Sequence, residues 1–168
     1  AQMGSGDTVV LPAEEPSLNS AQIQAALPPG CSLKLVGPGQ DIRFADGQLW
    51  VGNEAFPMES LPFSQTFQLT NATIALGLAQ ATSSNWDAER AVEGLRKFQP
   101  LRFRMEILGE RDGIQVIYNS MCTNPMAVVH SSSGCPRKQF LLLGGLTKNL
   151  DFHPVGPYLR TSGHVPSL

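Results

Sequence analysis

The sequence predicts an α/β protein in which a mixed lobe is followed by a mostly parallel sheet with flanking helices. Three observations support this prediction. Asp46-Gly47 stands between two alternating apolar runs, which is a short-range signal for a β-hairpin. Apolar residues in 87–98 recur at a spacing near 3.6 residues, as on one face of a helix. The nearly continuous apolar run 138–145 is typical of a strand buried on both faces of a parallel sheet.

The first part of the chain combines short strands with one short helix. Ser20 is the predicted N-cap of a helix over 21–27, which a Pro-Pro-Gly sequence ends. Strands are predicted at the start of 8–16, over 32–37 and within 42–58, where the hairpin at Asp46-Gly47 begins a small meander.

Two longer helices follow the meander. The run 69–82 has a long apolar stripe, and its Gly77 costs about 1 kcal/mol relative to alanine, so we expect close packing at that glycine. Ser84 or Asn85 is the predicted cap of the next helix, over 87–98.

The remaining chain has the order β-β-α-β-α, which is typical of a Rossmann-like sheet. Its predicted elements are a strand over 103–110, a strand over 113–119, a helix over 124–132 with Thr123 as cap, the strand 138–145, and a short helix over 155–160. We therefore predict two domains, residues 1–99 and residues 100–168.

Composition excludes several classes of protein. The chain has 168 residues, of which 42% are hydrophobic, so it can bury a core. Its net charge of −2 and the absence of a long basic run argue against nucleic-acid binding. No stretch approaches the ~20 apolar residues of a membrane span. Three widely spaced cysteines, Cys31, Cys122 and Cys135, fit reduced thiols in a cytoplasmic protein, and no spacing indicates a metal site.

Polar residues follow two of the predicted strands at their carboxyl ends. Asn119-Ser120 ends one strand and precedes Thr123, while Gly144-Gly145 ends the other and precedes Lys148. Ligands of open α/β sheets bind at such ends, and a helix beginning after Thr123 would favour an anion. Arg104 could add a fork of donors for a phosphate or carboxylate. The alternative is a capped helix with a solvated lysine.

Several segments, taken in order, resemble the Mur ligases, the ATP-dependent amide-forming ligases of peptidoglycan precursor synthesis. The run VVLPAEEP is similar to their Asn-Ala-Asp-Asp-Pro strand and turn, and 67–81 is similar to their His-Asn-x-x-Asn-Ala helix. Residues 95–128 resemble the junction into their C-terminal domain. NSMCTNP and the Gly-Gly-x-x-Lys-x-x-Asp-Phe-x-Pro run within 141–159 are most similar to the D-glutamate-adding branch.

This resemblance implies a domain assignment and a reaction. Residues 1–99 would be the C-terminal part of the central, ATP-binding domain, and 100–168 part of the Rossmann-like C-terminal domain. ATP with Mg²⁺ would phosphorylate a substrate carboxylate, and the amino group of an amino acid would attack the acyl phosphate. The implied partners are a nucleotide, an amino acid and a UDP-sugar-peptide-like precursor.

The resemblance also implies roles for five residues. Asn71 matches an asparagine that contacts adenine, Arg104 an arginine that reaches the nucleotide phosphates, and Asn119 an aspartate that helps hold the nucleotide. Thr123 and Lys148 match residues that contact the carboxylate of the incoming amino acid. Lys148 is chemically suited to this role, because a fixed cation orients an anionic substrate.

The sequence also departs from the family pattern. Phe67 and Gln68 replace a histidine and an asparagine, Asn119 replaces the aspartate, and Met121 replaces a lysine of the D-glutamate branch. No Gly-x-x-Gly-Lys-Thr/Ser phosphate loop occurs in the sequence, so we expect a fragment of a longer chain that is inactive alone. Two alternatives stay open: a non-catalytic binding or scaffold protein of the same fold, and an unrelated dinucleotide binder, which would need a glycine-rich first turn.

Overall fold

The computed structural model describes residues 3–15, 18–135, 137–146 and 148–161. The chain divides into two compact units, Ala1–Phe98 and Gln99–Leu168. Assigning these units to the central and C-terminal domains of a ligase stays a prediction.

The first unit contains two small sheets and three α-helices. Its elements are β1 (Thr8–Pro12), α1 (Ser20–Ala26), β2 (Ser32–Val36), β3 (Ile42–Ala45), β4 (Gln48–Val51), β5 (Glu54–Pro57), a 3₁₀ turn (Met58–Ser60), α2 (Thr66–Thr82) and α3 (Ala88–Arg96). Strands β1 and β2 are parallel, with α1 as their connection, while β3, β4 and β5 form an antiparallel meander.

The β3–β4 hairpin confirms the turn predicted at Asp46-Gly47. Both residues have positive φ, 52° and 72°, which matches the right-handed twist of the flanking strands. Register follows from this turn: Ala45 pairs with Gln48 and Phe44 with Leu49. The hairpin thereby carries Leu49, which is fully buried, into the core.

The core of the first unit lies where α2 packs on strands from both sheets. Its buried members are Val36, Ile42, Leu49, Val51, Phe56, Leu61, Phe63, Ala72, Leu76, Ala88 and Val92. Helix α2 comes so close to β1 and β2 that a Cβ at Gly77 would lie 2.8 Å from Val10 Cγ1 and 2.9 Å from Val36 Cγ1. The expectation of close packing at this glycine is confirmed.

The caps of α1 and α3 differ from the predicted ones. Helix α1 is capped by Asn19 and not Ser20, and α3 by Asp87 and not Ser84 or Asn85. Each cap oxygen accepts from the backbone N–H three residues on, at 3.0 Å in both cases. Several adjacent polar residues satisfy the cap preference, and the entry direction of the chain selects among them.

The second unit contains one hairpin and two α-helices among its described residues. Its elements are β6 (Glu106–Arg111), β7 (Ile114–Tyr118), α4 (Pro125–Ser133) and α5 (Val155–Thr161). The two strands are antiparallel, with a register shift between Ile107 and Gly109. The hairpin turn at Asp112-Gly113 and both helices confirm the predictions for these segments.

The α/β class is confirmed, but the strand predicted over 138–145 is not formed. Residues 137–146 are irregular, and Leu142 and Leu146 are both 89% exposed. The described sheet of this unit is therefore an antiparallel pair and not a mostly parallel sheet. An apolar run shows that a segment would gain from burial, but a strand also needs a hydrogen-bonded neighbour. Within the described residues no strand pairs with this run.

In the part of the chain that the structure describes, every helix is too short or too polar to cross a bilayer.

We expect Gly77→Ala to lower the free energy of unfolding by up to about 2 kcal/mol. The new methyl group would overpack against two β-branched valines, at a cost of about 1–3 kcal/mol that exceeds the helix-propensity gain of about 1 kcal/mol. Chemical denaturation followed by circular dichroism measures the change. Gly94→Ala is the matched control, because a Cβ at this exposed position of α3 meets no heavy atom within 4 Å. It should stabilise the protein, and a stabilising Gly77→Ala would contradict the packing.

Candidate functional site

Asn119, which directly follows β7, is the centre of a polar cluster in the second unit. Its Oδ1 accepts a hydrogen bond from the Met105 backbone N–H at 3.3 Å. Its Nδ2 donates to Ser131 Oγ at 3.0 Å, and Ser131 Oγ donates in turn to the Ala127 carbonyl at 2.6 Å. One half-buried side chain therefore joins the segment before β6, the end of β7 and helix α4.

Arg104 lies in a sharp bend that precedes β6, formed by residues 103–105. The strand predicted from Phe103 begins only at Glu106, because Phe103 and Met105 both adopt left-handed backbone conformations, with φ of 67° and 50°. The Phe103 N–H donates to Glu106 Oε2 at 2.8 Å, and the Met121 N–H donates to the Phe103 carbonyl at 3.3 Å. The Arg104 side chain is exposed between the two left-handed residues.

Cys122 lies beside this cluster, and the pKa of its thiol is affected by Ser131 and Arg104. Partial burial raises the pKa of the Cys122 thiol, while its hydrogen bond with Ser131 and the positive charge of Arg104 act in the opposite direction. Asn119 thus binds the backbone N–H of the residue after Arg104, and the Arg104 charge acts on the neighbouring Cys122. Burial thus favours the protonated thiol, which is a poorer nucleophile than the thiolate.

Thr123 lies one residue before the cap of α4. The cap is Asn124, whose Oδ1 accepts from the Met126 N–H at 2.8 Å, so the prediction of Thr123 as cap is wrong. Pro125 has no N–H to offer, and the Val128 N–H donates to the Asn124 carbonyl. Because three of the first four helical positions lack a free donor, this helix N-terminus has little capacity for an anion. Thr123 is exposed just before this helix, so its hydroxyl is accessible to a ligand.

Lys148 lies in a separate turn of the second unit, ahead of α5. Lys148 and Asn149 both have left-handed backbone conformations, with φ of 51° and 59°, and the Lys148 side chain is exposed. Asp151 follows in the chain. Its Oδ1 accepts a hydrogen bond from the His153 backbone N–H at 2.9 Å and lies 2.7 Å from the His153 ring Nδ1. The backbone N–H and then the ring of His153 lower the pKa of Asp151, which stays a carboxylate.

Asn71 lies in the first unit, exposed on α2. Its proposed contact with adenine stays a prediction.

Ser131 is the member of the cluster that sequence reasoning did not find. It lies in the run HSSSG, where three consecutive serines give no indication of which one contacts a distant residue. Its partner Asn119 is twelve residues away, so only the folded chain identifies it.

The two units differ strongly in charge. Residues 99–168 contain seven Lys or Arg and four Asp or Glu, whereas residues 1–98 contain five and ten. The unit that contains Arg104 and Lys148 therefore attracts anions over its surface. Among the described residues, no group of three or more His, Cys, Asp or Glu side chains is arranged to hold a metal ion.

Two curated relatives of this chain carry the same enzyme name. The chain is 33% identical over 131 residues to the UDP-N-acetylmuramoylalanine–D-glutamate ligase of Dechloromonas aromatica, which covers 77% of this chain and 29% of that enzyme. It is 32% identical over 158 residues to the enzyme of the same name from Rubrobacter xylanophilus, covering 93% of this chain and 34% of the relative. The chain thus spans about a third of the length of these curated relatives.

A solved structure shares the fold at lower identity. The structure of MurF from Acinetobacter baumannii superposes with a TM-score of 0.61 at 20% identity, over 75% of this chain and 28% of that one. A comparison with models of known protein families finds no match.

We expect the alkylation of Cys122 by iodoacetamide to be slow at pH 8 and to rise as the pH increases, since the raised pKa keeps the thiol protonated. Arg104→Ala should shift this profile further toward high pH, because it removes a positive charge that favours the thiolate. Mass spectrometry of the Cys122 peptide measures the rate. Arg111→Ala, at an exposed turn position, is the control and should leave the profile in place. An unchanged profile in Arg104→Ala would show that Arg104 lies too far from Cys122.

Proposed function

Because the chain belongs to the Mur ligase family and matches D-glutamate-adding members over about a third of their length, we propose that it is part of such a ligase. The enzyme would join D-glutamate to UDP-N-acetylmuramoylalanine, with ATP as the energy source, in the cytoplasm. The observation that carries the proposal is the 33% identity to the Dechloromonas aromatica ligase across most of this chain. The exposed cations of the second unit support it.

ATP, when bound, supplies the phosphoryl group that converts a substrate carboxylate into an acyl phosphate, which an amine attacks with release of phosphate. In this proposal Arg104 contacts a nucleotide phosphate. Its guanidinium is exposed, and a planar fork of donors suits phosphate oxygens. Asn71 presents an exposed amide, which can donate to and accept from the edge of an adenine ring.

Lys148 and Thr123 would bind the incoming amino acid in this proposal. The exposed Lys148 ammonium compensates the charge of an amino-acid carboxylate, and the Thr123 hydroxyl adds a directional donor. Both groups orient a substrate and do not move protons themselves. Their contribution is to hold the amine of the amino acid where it can attack.

The described residues fit a nucleotide only in part. Arg104 suits a phosphate, but the sequence contains no phosphate loop for the triphosphate. A Mg²⁺ ion requires oxygen ligands, and the described residues offer no cluster of three acidic side chains.

A non-catalytic relative of the ligases is the second candidate, and a specific observation favours it. Both polar atoms of the Asn119 side chain are engaged within the protein, where the ligases have an aspartate toward the nucleotide. Met121, in the place of a lysine, presents a 49% exposed apolar side chain. Such a protein would bind a ligand without turnover.

Phosphate release decides between the two candidates. For the full-length protein with ATP and Mg²⁺, we expect release only when UDP-N-acetylmuramoylalanine and D-glutamate are both present. Lys148→Ala should raise the KM for D-glutamate by about ten- to a hundredfold, the value of a charge-assisted contact, with the KM for ATP little changed.

Lys138→Ala is the matched control, since it removes an exposed cation from the same unit. Failure of every substrate combination to release phosphate, together with retained binding of ADP, would instead establish the non-catalytic candidate.

A further inference from the structure

We infer that Asn119 is a positioning residue, which holds the bend 103–105 and so directs the Arg104 side chain outward, and that it does not contact the nucleotide itself. This inference rests on the proposed function, in which Arg104 contacts a nucleotide phosphate. It assigns Asn119 a different role from the aspartate that the ligases have at this position.

The orientation of the Asn119 amide follows from its partners. Met105 offers a backbone N–H, which can only donate, so the atom that faces it must be Oδ1. A flipped amide would place two N–H groups against each other at 3.3 Å. Nδ2 therefore faces Ser131 Oγ, as the 3.0 Å bond requires.

Ser131 explains why an amide suits this position better than a carboxylate. The one hydroxyl hydrogen of Ser131 is donated to the Ala127 carbonyl at 2.6 Å, and the Cys122 sulfur is a second acceptor that competes for it, so Ser131 offers residue 119 lone pairs and not a hydrogen. An asparagine at 119 donates to those lone pairs. An aspartate would compete with the Ala127 carbonyl for the single hydrogen. The departure from the family pattern thus completes a chain of three hydrogen bonds, from Met105 through Asn119 and Ser131 to Ala127.

The bend needs such support because its backbone is strained. Left-handed conformations are unfavourable for residues with a Cβ, and Phe103 and Met105 adopt them on both sides of Arg104. Strained residues persist only where surrounding contacts impose them. The Phe103 side of the bend is held by Glu106 and Met121. The Met105 side is held by Asn119, so loss of this side chain frees the residue that follows Arg104.

A double-mutant cycle between Asn119 and Arg104 tests the inference through the binding of ADP, measured by calorimetry on the full-length protein. Arg104→Ala should weaken ADP binding by about ten- to a hundredfold. Asn119→Ala should cause part of that loss, and the double variant should bind no more weakly than Arg104→Ala alone, because a positioning residue acts only through its target. Losses that add would show that Asn119 contacts the nucleotide directly and would overturn the inference.

Ser131→Ala provides a milder variant in case Asn119→Ala fails to fold. It removes the partner of Asn119 Nδ2 and should weaken ADP binding in the same direction. Ser133→Ala is its matched control, because Ser133 Oγ bonds only to the His130 carbonyl within the same helix. Equal affinities for the two serine variants would overturn the inference.

Limited trypsin digestion supplies a readout that does not depend on nucleotide binding. Asn119→Ala and Ser131→Ala should accelerate cleavage after Arg104 several-fold, since the bend opens, with cleavage after the exposed Arg111 unchanged. If the wild-type protein binds no ADP, the proposed function fails while this digestion still decides the role of Asn119. Unchanged cleavage after Arg104 would overturn the inference.

Discussion

The side-chain amide of Asn119 is the interaction on which the candidate site depends. A single planar group satisfies a backbone donor before β6 and a hydroxyl acceptor on α4, and it does so from the end of β7. It holds the Met105 side of the strained bend to the strand end, and it joins both to α4 through Ser131. The half-buried Asn119 amide has partners for both of its polar atoms, and one of them is the backbone N–H next to Arg104.

Different interactions stabilise the interior of each unit. In the first unit, α2 packs on two sheets through an apolar core, and Gly77 allows the approach. Among the described residues of the second unit, Val155 and Pro125 are the buried apolar side chains, while Leu142, Leu146 and much of the β6–β7 hairpin are exposed. Polar contacts consequently carry more of the order in the second unit, and they surround the residues proposed to bind anions.

Prediction from the sequence succeeded where short-range rules decide the structure. Asp46-Gly47 and Asp112-Gly113 adopt positive φ because few other residue pairs do so at low cost, which sets the hairpins. It failed for the strand over 138–145, because an apolar run does not show whether a neighbouring strand exists. It also placed the start of β6 too early, since nothing in the letters FRM indicates two left-handed residues. For the site, the sequence suggested Arg104 and Asn119 as nucleotide-binding residues but did not reveal Ser131.

The sequence by itself determined the turns, the helices, the charge difference between the two units and the relationship to the Mur ligases, because each depends on residue type and local spacing. Only the tertiary structure decided what Asn119 binds. An amide offers two hydrogens and two lone pairs, and many groups in the chain could engage them. The choice of Met105 and Ser131, fourteen and twelve residues away, was made by the packing of the bend, the strand end and α4 around one half-buried side chain.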